Sequence, residues 1–184
     1  MKYVKHNEIM AHKVGEMYLG TNLSHNMFTC ADYFFYYYHK PEQYRFIGQY
    51  LINLSSFYEL FIKYKMTTIH KSLIWKDISK FNEEAYSTAN FNSIDANVAL
   101  SYAKNLGWVN NAEYEIIFEM FKIRNKFTHF SLCAEDESGN IKIAYFEHDF
   151  EQKNYDLVKK LLIDNKDLFK DNFDYQRICK DYSI

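Results

Sequence analysis

Proline and glycine, the residues that interrupt helices, are scarce in this chain, with one proline and five glycines among 184 residues. Proline breaks a helix interior and glycine weakens it, so this scarcity favours long helices. Cysteine is scarce as well: Cys30, Cys133 and Cys179 are scattered and form no Cys-x-x-Cys pair. This spacing predicts reduced thiols and a cytoplasmic location.

The chain also lacks long apolar runs and an excess of charge. No stretch approaches the length of a membrane span, and residues Met1 to His6 contain no apolar segment of the kind found in secretion signals. The net charge is −2, which excludes nucleic-acid binding by overall charge, so any RNA contact must come from a local basic site. There is no phosphate-binding Gly-x-x-x-x-Gly-Lys-Ser/Thr loop, and the histidines lack metal-ligand spacing, so no cofactor is expected.

Aromatic residues are abundant, at 19% of the chain with 17 tyrosines and 16 phenylalanines. Tyrosine buries its ring and leaves its hydroxyl in water, so part of this excess suits a molecular interface. Codon usage in an AT-rich genome explains the excess equally well. The run Tyr33 to Tyr38 is apolar on all sides, which favours packing in the core or in a dimer over stacking on nucleic-acid bases.

Apolar residues recur at helical spacing along most of the chain, and the expected fold is mainly α, in a single domain over residues 1–184. A Ser-Gly-Asn turn in residues 131–150 predicts a small β-hairpin. After Asn172 the pattern is compatible with a partly disordered tail or a short helix. The predicted helices are Glu8–Tyr18 ending near Gly20, Asn22 or Ser24 to His39, Glu42–Lys65, Ser93–Ala103 capped by Ser93 and closed at Gly107, Ala112–Phe130 capped by Asn110 or Asn111, and Asn154–Lys170.

The densest group of chemically active side chains lies on the helix predicted at Ala112–Phe130, and consists of Arg124, Asn125 and His129. Asn125 and His129 are four residues apart and share a helix face, while Arg124 lies roughly 100° around the helix from Asn125. The long arginine side chain still reaches the same patch, so the three groups can converge on one anion. A guanidinium grips phosphate, an imidazole transfers protons near neutral pH, and an amide orients its neighbours. This set suits metal-free RNA cleavage, in which the 2′-hydroxyl attacks the adjacent phosphate.

In-line cleavage needs both a base and an acid, and this motif holds one histidine. A two-fold dimer that brings two such helices together would supply both groups. The Arg-x4-His spacing by itself is common, because an arginine on a helix usually forms a surface ion pair and a lone histidine usually has a structural role. Other features of the chain must therefore decide whether Arg124 and His129 form a site.

Four landmarks occur in order between residues 42 and 130. The first is the pair Glu59 and Lys63 on the long helix, and the last is the Arg124–His129 motif with a polar residue after the arginine. Between them lie the segments Ser72–Ile78 and Phe91–Ile94. With these landmarks the chain resembles the HEPN family (higher eukaryotes and prokaryotes nucleotide-binding), a helical family that includes many prokaryotic toxin and defence ribonucleases.

The resemblance implies a HEPN-like helical bundle, followed by the hairpin at residues 131–150 and a helical C-terminal extension at 151–184. It implies a homodimer whose motif helices meet at a shared cleft, and metal-independent endoribonuclease activity in that cleft. Arg124 and His129 carry over as catalytic residues and Asn125 as the accompanying polar residue. Glu59 and Lys63 carry over as residues that line or brace the cleft, although a helix salt bridge explains their spacing equally well.

One position departs from the family pattern. Some HEPN toxins that pair with a small nucleotidyltransferase antitoxin carry a tyrosine two residues after the histidine, which the partner modifies. In this chain that position is Ser131, and Tyr145 is no substitute for the missing tyrosine. Regulation by tyrosine modification at that place is therefore not expected.

The resemblance leaves two functional hypotheses. In the first, the protein is a toxin or anti-phage effector that cuts single-stranded RNA, tRNA or mRNA, is regulated by an antitoxin or defence-system partner, and has no membrane partner. In the second, it is a non-catalytic HEPN module that binds RNA, a nucleotide or a protein partner. A purely structural helical protein ranks third.

Overall fold

The structure, a computed structural model, describes residues 15–39, 47–77, 79, 93–128, 133–135, 141–143 and 148–184. The expectation of a mainly helical fold is confirmed. The first two helices among the described residues are long, α1 over Gly15–Tyr38 and α2 over Ile47–Ile69, and each is the other's principal packing partner. Within the described ranges, no helix combines the length and the apolar character that crossing a membrane requires.

Helix α1 runs through Gly20 without a break, so the predicted helix end near Gly20 and the restart at Asn22 or Ser24 are wrong. A glycine inside a helix costs about 1 kcal/mol relative to alanine, and tertiary packing of the helix outweighs this cost. The buried apolar side chains of α1 belong to the hydrophobic core, and Phe34 contacts Tyr50 of α2 with 5.3 Å between ring centroids. Residues 1–14, which contain most of the helix predicted at Glu8–Tyr18, lie outside the described residues.

A short 3₁₀ helix, Lys71–Ile74, follows α2. The end of this helix packs into the hydrophobic core, because Ile74 and Trp75 are buried. The backbone N–H of Ile94 donates a hydrogen bond to the carbonyl of Ile74 at 2.9 Å, and Trp75 pairs with Ser93 in an antiparallel bridge. These contacts hold the segment after α2 against the segment before the next helix.

Helix α3, Ala96–Asn105, begins after Asp95, so the prediction that Ser93 caps it is wrong. The hydroxyl of Ser93 instead accepts a hydrogen bond from the ammonium of Lys63 at 2.9 Å. The predicted closure at Gly107 is confirmed: the helix ends at Asn105, and Gly107 has a φ of 69°, in the left-handed region that glycine adopts without strain.

Helix α4, Asn111–Thr128, carries the Arg124 motif. Asn110 caps it, because the side-chain oxygen of Asn110 accepts a hydrogen bond from the backbone N–H of Glu113 at 3.0 Å. The carboxylate of Glu113 in turn accepts a hydrogen bond from the backbone N–H of Asn110 at 2.8 Å. This reciprocal pair is a capping box, and it decides between the two predicted caps in favour of Asn110.

Two strands of three residues follow α4, β1 at Cys133–Glu135 and β2 at Ile141–Ile143. They pair antiparallel, with Ala134 opposite Lys142. The connection at residues 136–140, which contains the predicted Ser-Gly-Asn turn, lies outside the described residues.

Three helices complete the chain: α5 at His148–Asp164, α6 at Lys166–Phe169 and α7 at Phe173–Tyr182. The predicted helix Asn154–Lys170 therefore begins earlier and is interrupted near Asn165. Helix α7 is bound to α1, because Arg177 and Tyr182 both donate hydrogen bonds at 2.8 Å to the carboxylate of Asp32. Of the two interpretations of the chain after Asn172, the short helix is the correct one.

Buried apolar side chains from α1, α2, α3, α4 and the three C-terminal helices form one hydrophobic cluster. A polar pair lies within it: the hydroxyl of Tyr58 donates to the side-chain oxygen of the fully buried Asn154 at 2.9 Å. The amide of Asn154 donates to the carbonyl of Phe150 at 2.8 Å, so its hydrogen-bonding groups are satisfied. Burial also raises the pKa of the Cys30 thiol to about 11, which makes this cysteine a poor nucleophile.

Candidate functional site

Glu59 and Lys63 lie one turn apart on α2 and form an ion pair, with 2.5 Å between Lys63 Nζ and Glu59 Oε1. The lysine is only 4% exposed, whereas the side chain of the glutamate is 25% exposed. Lys63 also donates the hydrogen bond to Ser93 described above. A buried ammonium requires such partners, because its removal from water costs several kcal/mol. Lys63 is therefore an internal anchor, and Glu59 lies between this anchor and solvent.

Arg124 approaches the pair from α4, with 3.9 Å between Arg124 Nη1 and Glu59 Oε2. This distance exceeds that of a hydrogen bond, so the contact is electrostatic. Helix geometry explains the direction: Arg124 follows the buried residues Ile117 and Phe121 by seven and three positions, and so continues the core-facing stripe of α4. The guanidinium lies 5.8 Å from the centre of the Phe121 ring. Arg124 is thus directed towards α2.

The group formed by Glu59, Lys63 and Arg124 carries one carboxylate and two cations, which leaves one net positive charge. Side-chain exposure of Arg124 is 27%, so water screens its charge less than that of a fully exposed arginine. Its Nε–H is buried and makes no hydrogen bond within the described part of the chain. This buried N–H is out of reach of a ligand, but the side chain is partly exposed and the net charge is positive, so the group is electrostatically suited to an anion.

Residues from all four sequence landmarks meet at this place. Glu59 and Lys63 belong to the first landmark and Arg124 to the fourth. Ser93, from the third, binds Lys63, and Trp75, from the second, pairs with Ser93 through its backbone. The contacts join α2, α4 and the segments flanking residues 78–92 into one cluster.

The other two predicted site residues follow Arg124 along the chain. Asn125 is exposed, about 100° around α4 from Arg124. His129 lies outside the described residues, as do Ser131 and Tyr145. The structure thus brings Arg124 together with Glu59 and Lys63, and places Asn125 on the adjacent exposed side of the helix.

The chemistry available to this arrangement is electrostatic. Arg124 can stabilise negative charge that develops on a phosphate, and Glu59 can fix the guanidinium in position. Lys63 acts through Glu59, because its ammonium is buried and bound to the carboxylate and to Ser93. Among the residues that the structure describes, no three histidine, cysteine, aspartate or glutamate side chains cluster closely enough to hold a metal ion.

Sequence patterns do not reveal the contact that brings Ser93 into the cluster, whereas they do indicate the place of Phe121. The contact of Ser93 with Lys63 joins residues 30 positions apart, and no local pattern signals it. Phe121 had a readable signal, since it precedes Arg124 by three residues on the apolar stripe and so lies beneath the arginine side chain.

Comparison of the chain with protein-family models, with curated proteins and with solved structures finds no match.

Proposed function

We propose that this protein is a HEPN-type, metal-independent endoribonuclease that acts as a toxin or anti-phage effector. It cleaves RNA by attack of the 2′-hydroxyl on the adjacent phosphate, at a site shared by two protomers of a homodimer. The observation that carries the proposal is the net-positive group of Glu59, Lys63 and Arg124, in which Arg124 precedes His129 by five residues in the sequence.

In this proposal each residue has a distinct role. Arg124 stabilises the charge of the pentacoordinate phosphate, and Asn125 orients the substrate or the histidine. His129 of one protomer removes the proton of the 2′-hydroxyl, and His129 of the partner subunit protonates the leaving 5′-oxygen. Glu59 positions the guanidinium, and Lys63 fixes Glu59.

The test is cleavage of single-stranded RNA by the purified full chain in EDTA. We expect cleavage by the wild type, a loss of about 10²–10⁴-fold in rate for His129→Ala, and a loss of about 10²–10³-fold for Arg124→Ala. Because the site is shared, the rate per protomer should fall when the protein is diluted until it is monomeric. Cleavage that persists in both variants would overturn the site assignment.

The chain supplies matched controls for both substitutions. Arg177 also contacts a carboxylate, Asp32, and His25 lies 2.9 Å from Asp174, so both resemble the site residues in type while lying on other helices. Arg177→Ala and His25→Ala should leave the cleavage rate unchanged once folding is verified by thermal melting.

A second candidate is a non-catalytic HEPN-like module that binds RNA, a nucleotide or a protein partner. The observation that favours it is the contact between Arg124 and Glu59, since an arginine held by a carboxylate is also a common structural arrangement. Under this alternative the wild type and the His129→Ala variant show the same absence of cleavage, and induced expression of either one leaves cell growth unaffected.

A further inference from the structure

A row of exposed lysines and partly buried aromatic rings runs along one side of α4, and the proposed cleavage chemistry does not use it. Tyr114 and Phe118 stack, with 5.7 Å between ring centroids and 14° between ring planes. Lys104 of α3 places its ammonium 4.3 Å from the centre of the Tyr114 ring, and Lys122 places its ammonium 4.6 Å from the centre of the Phe118 ring. These four residues are called the lysine–aromatic ladder below.

The rings hold the two ammonium groups in place. A cation over an aromatic face is attracted by the ring quadrupole, by about 0.5–1 kcal/mol at exposed sites. Tyr114 and Phe118 are four residues apart on α4, about one helical turn, and each ring holds its own ammonium group. Lysines ordered in this way lose less side-chain entropy when they bind an anion.

The ladder is directed along α4 towards the candidate site. Spacings of four, four and three residues put Tyr114, Phe118, Lys122 and Asn125 on one side of the helix. Lys122 and Lys126 are both exposed, as is Lys104 at the far end of the ladder. Three lysines therefore line the approach to the helix end that carries Arg124.

Two carboxylates share this side of α4 with the lysines. Glu119 Oε2 lies 3.2 Å from Lys122 Nζ, and the two side chains are 47% and 50% exposed. An ion pair this exposed contributes about 0–1 kcal/mol, so an incoming phosphate can replace Glu119 as the partner of Lys122. Glu115 is exposed as well. The three lysines outnumber the two glutamates, although the whole protein is acidic.

We infer that the lysine–aromatic ladder binds the phosphates of a single-stranded RNA and guides the strand towards Arg124. The identity of this ligand rests on the proposed ribonuclease function. Lysine is depleted in protein–protein interfaces, so the concentration of lysines on this face favours a polyanion over a second copy of the chain.

The test measures binding of a fluorescein-labelled oligouridine by fluorescence anisotropy at several salt concentrations. The parent protein carries His129→Ala, so that the RNA stays intact. Adding Lys104→Gln and Lys122→Gln should weaken binding on the order of tenfold, and should lower the slope of log affinity against log salt by about 0.7 for each lysine. Glu119→Gln, which removes the competing carboxylate, should tighten binding.

A matched control exists on α5, where Lys159 places its ammonium 5.5 Å from the centre of the Tyr155 ring. Lys159→Gln removes the same kind of cation–ring contact away from α4, and RNA affinity should not change. Equal affinity of the ladder variant, the Lys159→Gln variant and the parent would overturn the inference. So would a loss of self-association in light scattering with RNA affinity unchanged, which would identify the ladder as a dimer contact.

Cleavage by the wild type is measured separately, so the two proposals can fail independently. If RNA binding depends on the ladder lysines but the wild type does not cleave RNA in EDTA, the ribonuclease proposal is refuted and the ladder remains an RNA-binding surface. If the wild type cleaves RNA but the ladder substitutions leave RNA affinity unchanged, only the ladder inference is refuted. A parent protein that binds no RNA refutes the ladder inference directly.

Discussion

The charge of Lys63 is stabilised by two neighbours, the Glu59 carboxylate and the Ser93 hydroxyl. Coulomb attraction over such short distances reaches several kcal/mol at the effective dielectric constant of a protein. The cost of removing both charges from water offsets most of this attraction, so the intact pair contributes little net stability. Removal of one partner is costly, however, because the other charge stays buried.

This asymmetry gives a prediction for Glu59. Glu59→Gln keeps the shape of the side chain but removes its charge, so the buried Lys63 ammonium loses its counterion. We expect the free energy of unfolding to fall by about 1–3 kcal/mol, measured by urea denaturation. Under the proposed function Glu59 also positions Arg124, so the cleavage rate should fall. RNA affinity, which we infer to depend on the ladder lysines, should stay close to that of the wild type.

A double-mutant cycle separates the charge pair from packing. Lys63→Met removes the ammonium and keeps most of the side-chain volume, so the double variant with Glu59→Gln contains no unpaired buried charge. The unfolding free energies should be non-additive by about 0.5–3 kcal/mol, with the double variant more stable than the sum predicts. Additive effects would show that the two residues are energetically independent despite their contact.

Single residues also show where sequence patterns fail. Arg124 was expected to reach a patch shared with Asn125 and His129, whereas it continues the core-facing stripe that Ile117 and Phe121 define. The role of Ser93 was not predictable either, since a serine before an apolar run is a typical helix cap, and only the distant Lys63 changes its role. Tertiary contacts of this kind have no local signature.

At the scale of elements, the start of α4 is fixed by two interactions. The capping box of Asn110 and Glu113 satisfies backbone N–H groups at the first turn. The second oxygen of Glu113 accepts a hydrogen bond from Lys160 of α5 at 2.6 Å, and Lys160 also lies 3.0 Å from Asp164. The hydrogen bond that Lys160 donates to the Glu113 carboxylate favours the charged ammonium, which explains why the pKa of Lys160 is raised. The beginning of α4 is thereby tied to α5.

The cap can be tested with two neighbouring asparagines. Asn110→Ala removes the side-chain acceptor and should lower the free energy of unfolding by about 1 kcal/mol. Asn111→Ala is the matched control, since Asn111 is exposed and is already the first residue of the helix, and it should change stability by less than about 0.5 kcal/mol. Urea denaturation measures both. An equal loss for the two variants would contradict the assignment of Asn110 as the cap.

The existence of helices was easier to predict than their ends. Apolar periodicity located α2 and α4 because it reflects the face that each helix buries. The prediction that a helix ends near Gly20 was wrong, since a single glycine is too weak a breaker to end a helix that packs along the core. The prediction that a helix ends at Gly107 was confirmed, because this glycine adopts a left-handed backbone conformation that other residues avoid.

At the scale of the whole molecule, the C-terminal helices are part of the core rather than an appendage. Phe28 of α1 contacts Phe169 and Tyr175, with 5.2 and 5.9 Å between ring centroids, and Asp32 binds Arg177 and Tyr182. These contacts join residues more than 130 positions apart. Sequence periodicity could indicate that this region is helical, but it could not show that α7 docks on α1, because docking depends on which apolar faces are complementary.

Two apolar residues of α7 test this docking. Ile178 is fully buried, whereas Phe173 is 76% exposed. Ile178→Ala should lower the free energy of unfolding by about 2–5 kcal/mol, since it leaves a cavity in the shared core, and Phe173→Ala should change it by less than about 0.5 kcal/mol. Urea unfolding followed by both circular dichroism and tyrosine fluorescence should show one shifted transition for Ile178→Ala, with an unchanged slope. An early separate transition, with the main midpoint unmoved, would mean that α7 folds independently of α1 and that the C-terminal extension is dispensable for the core.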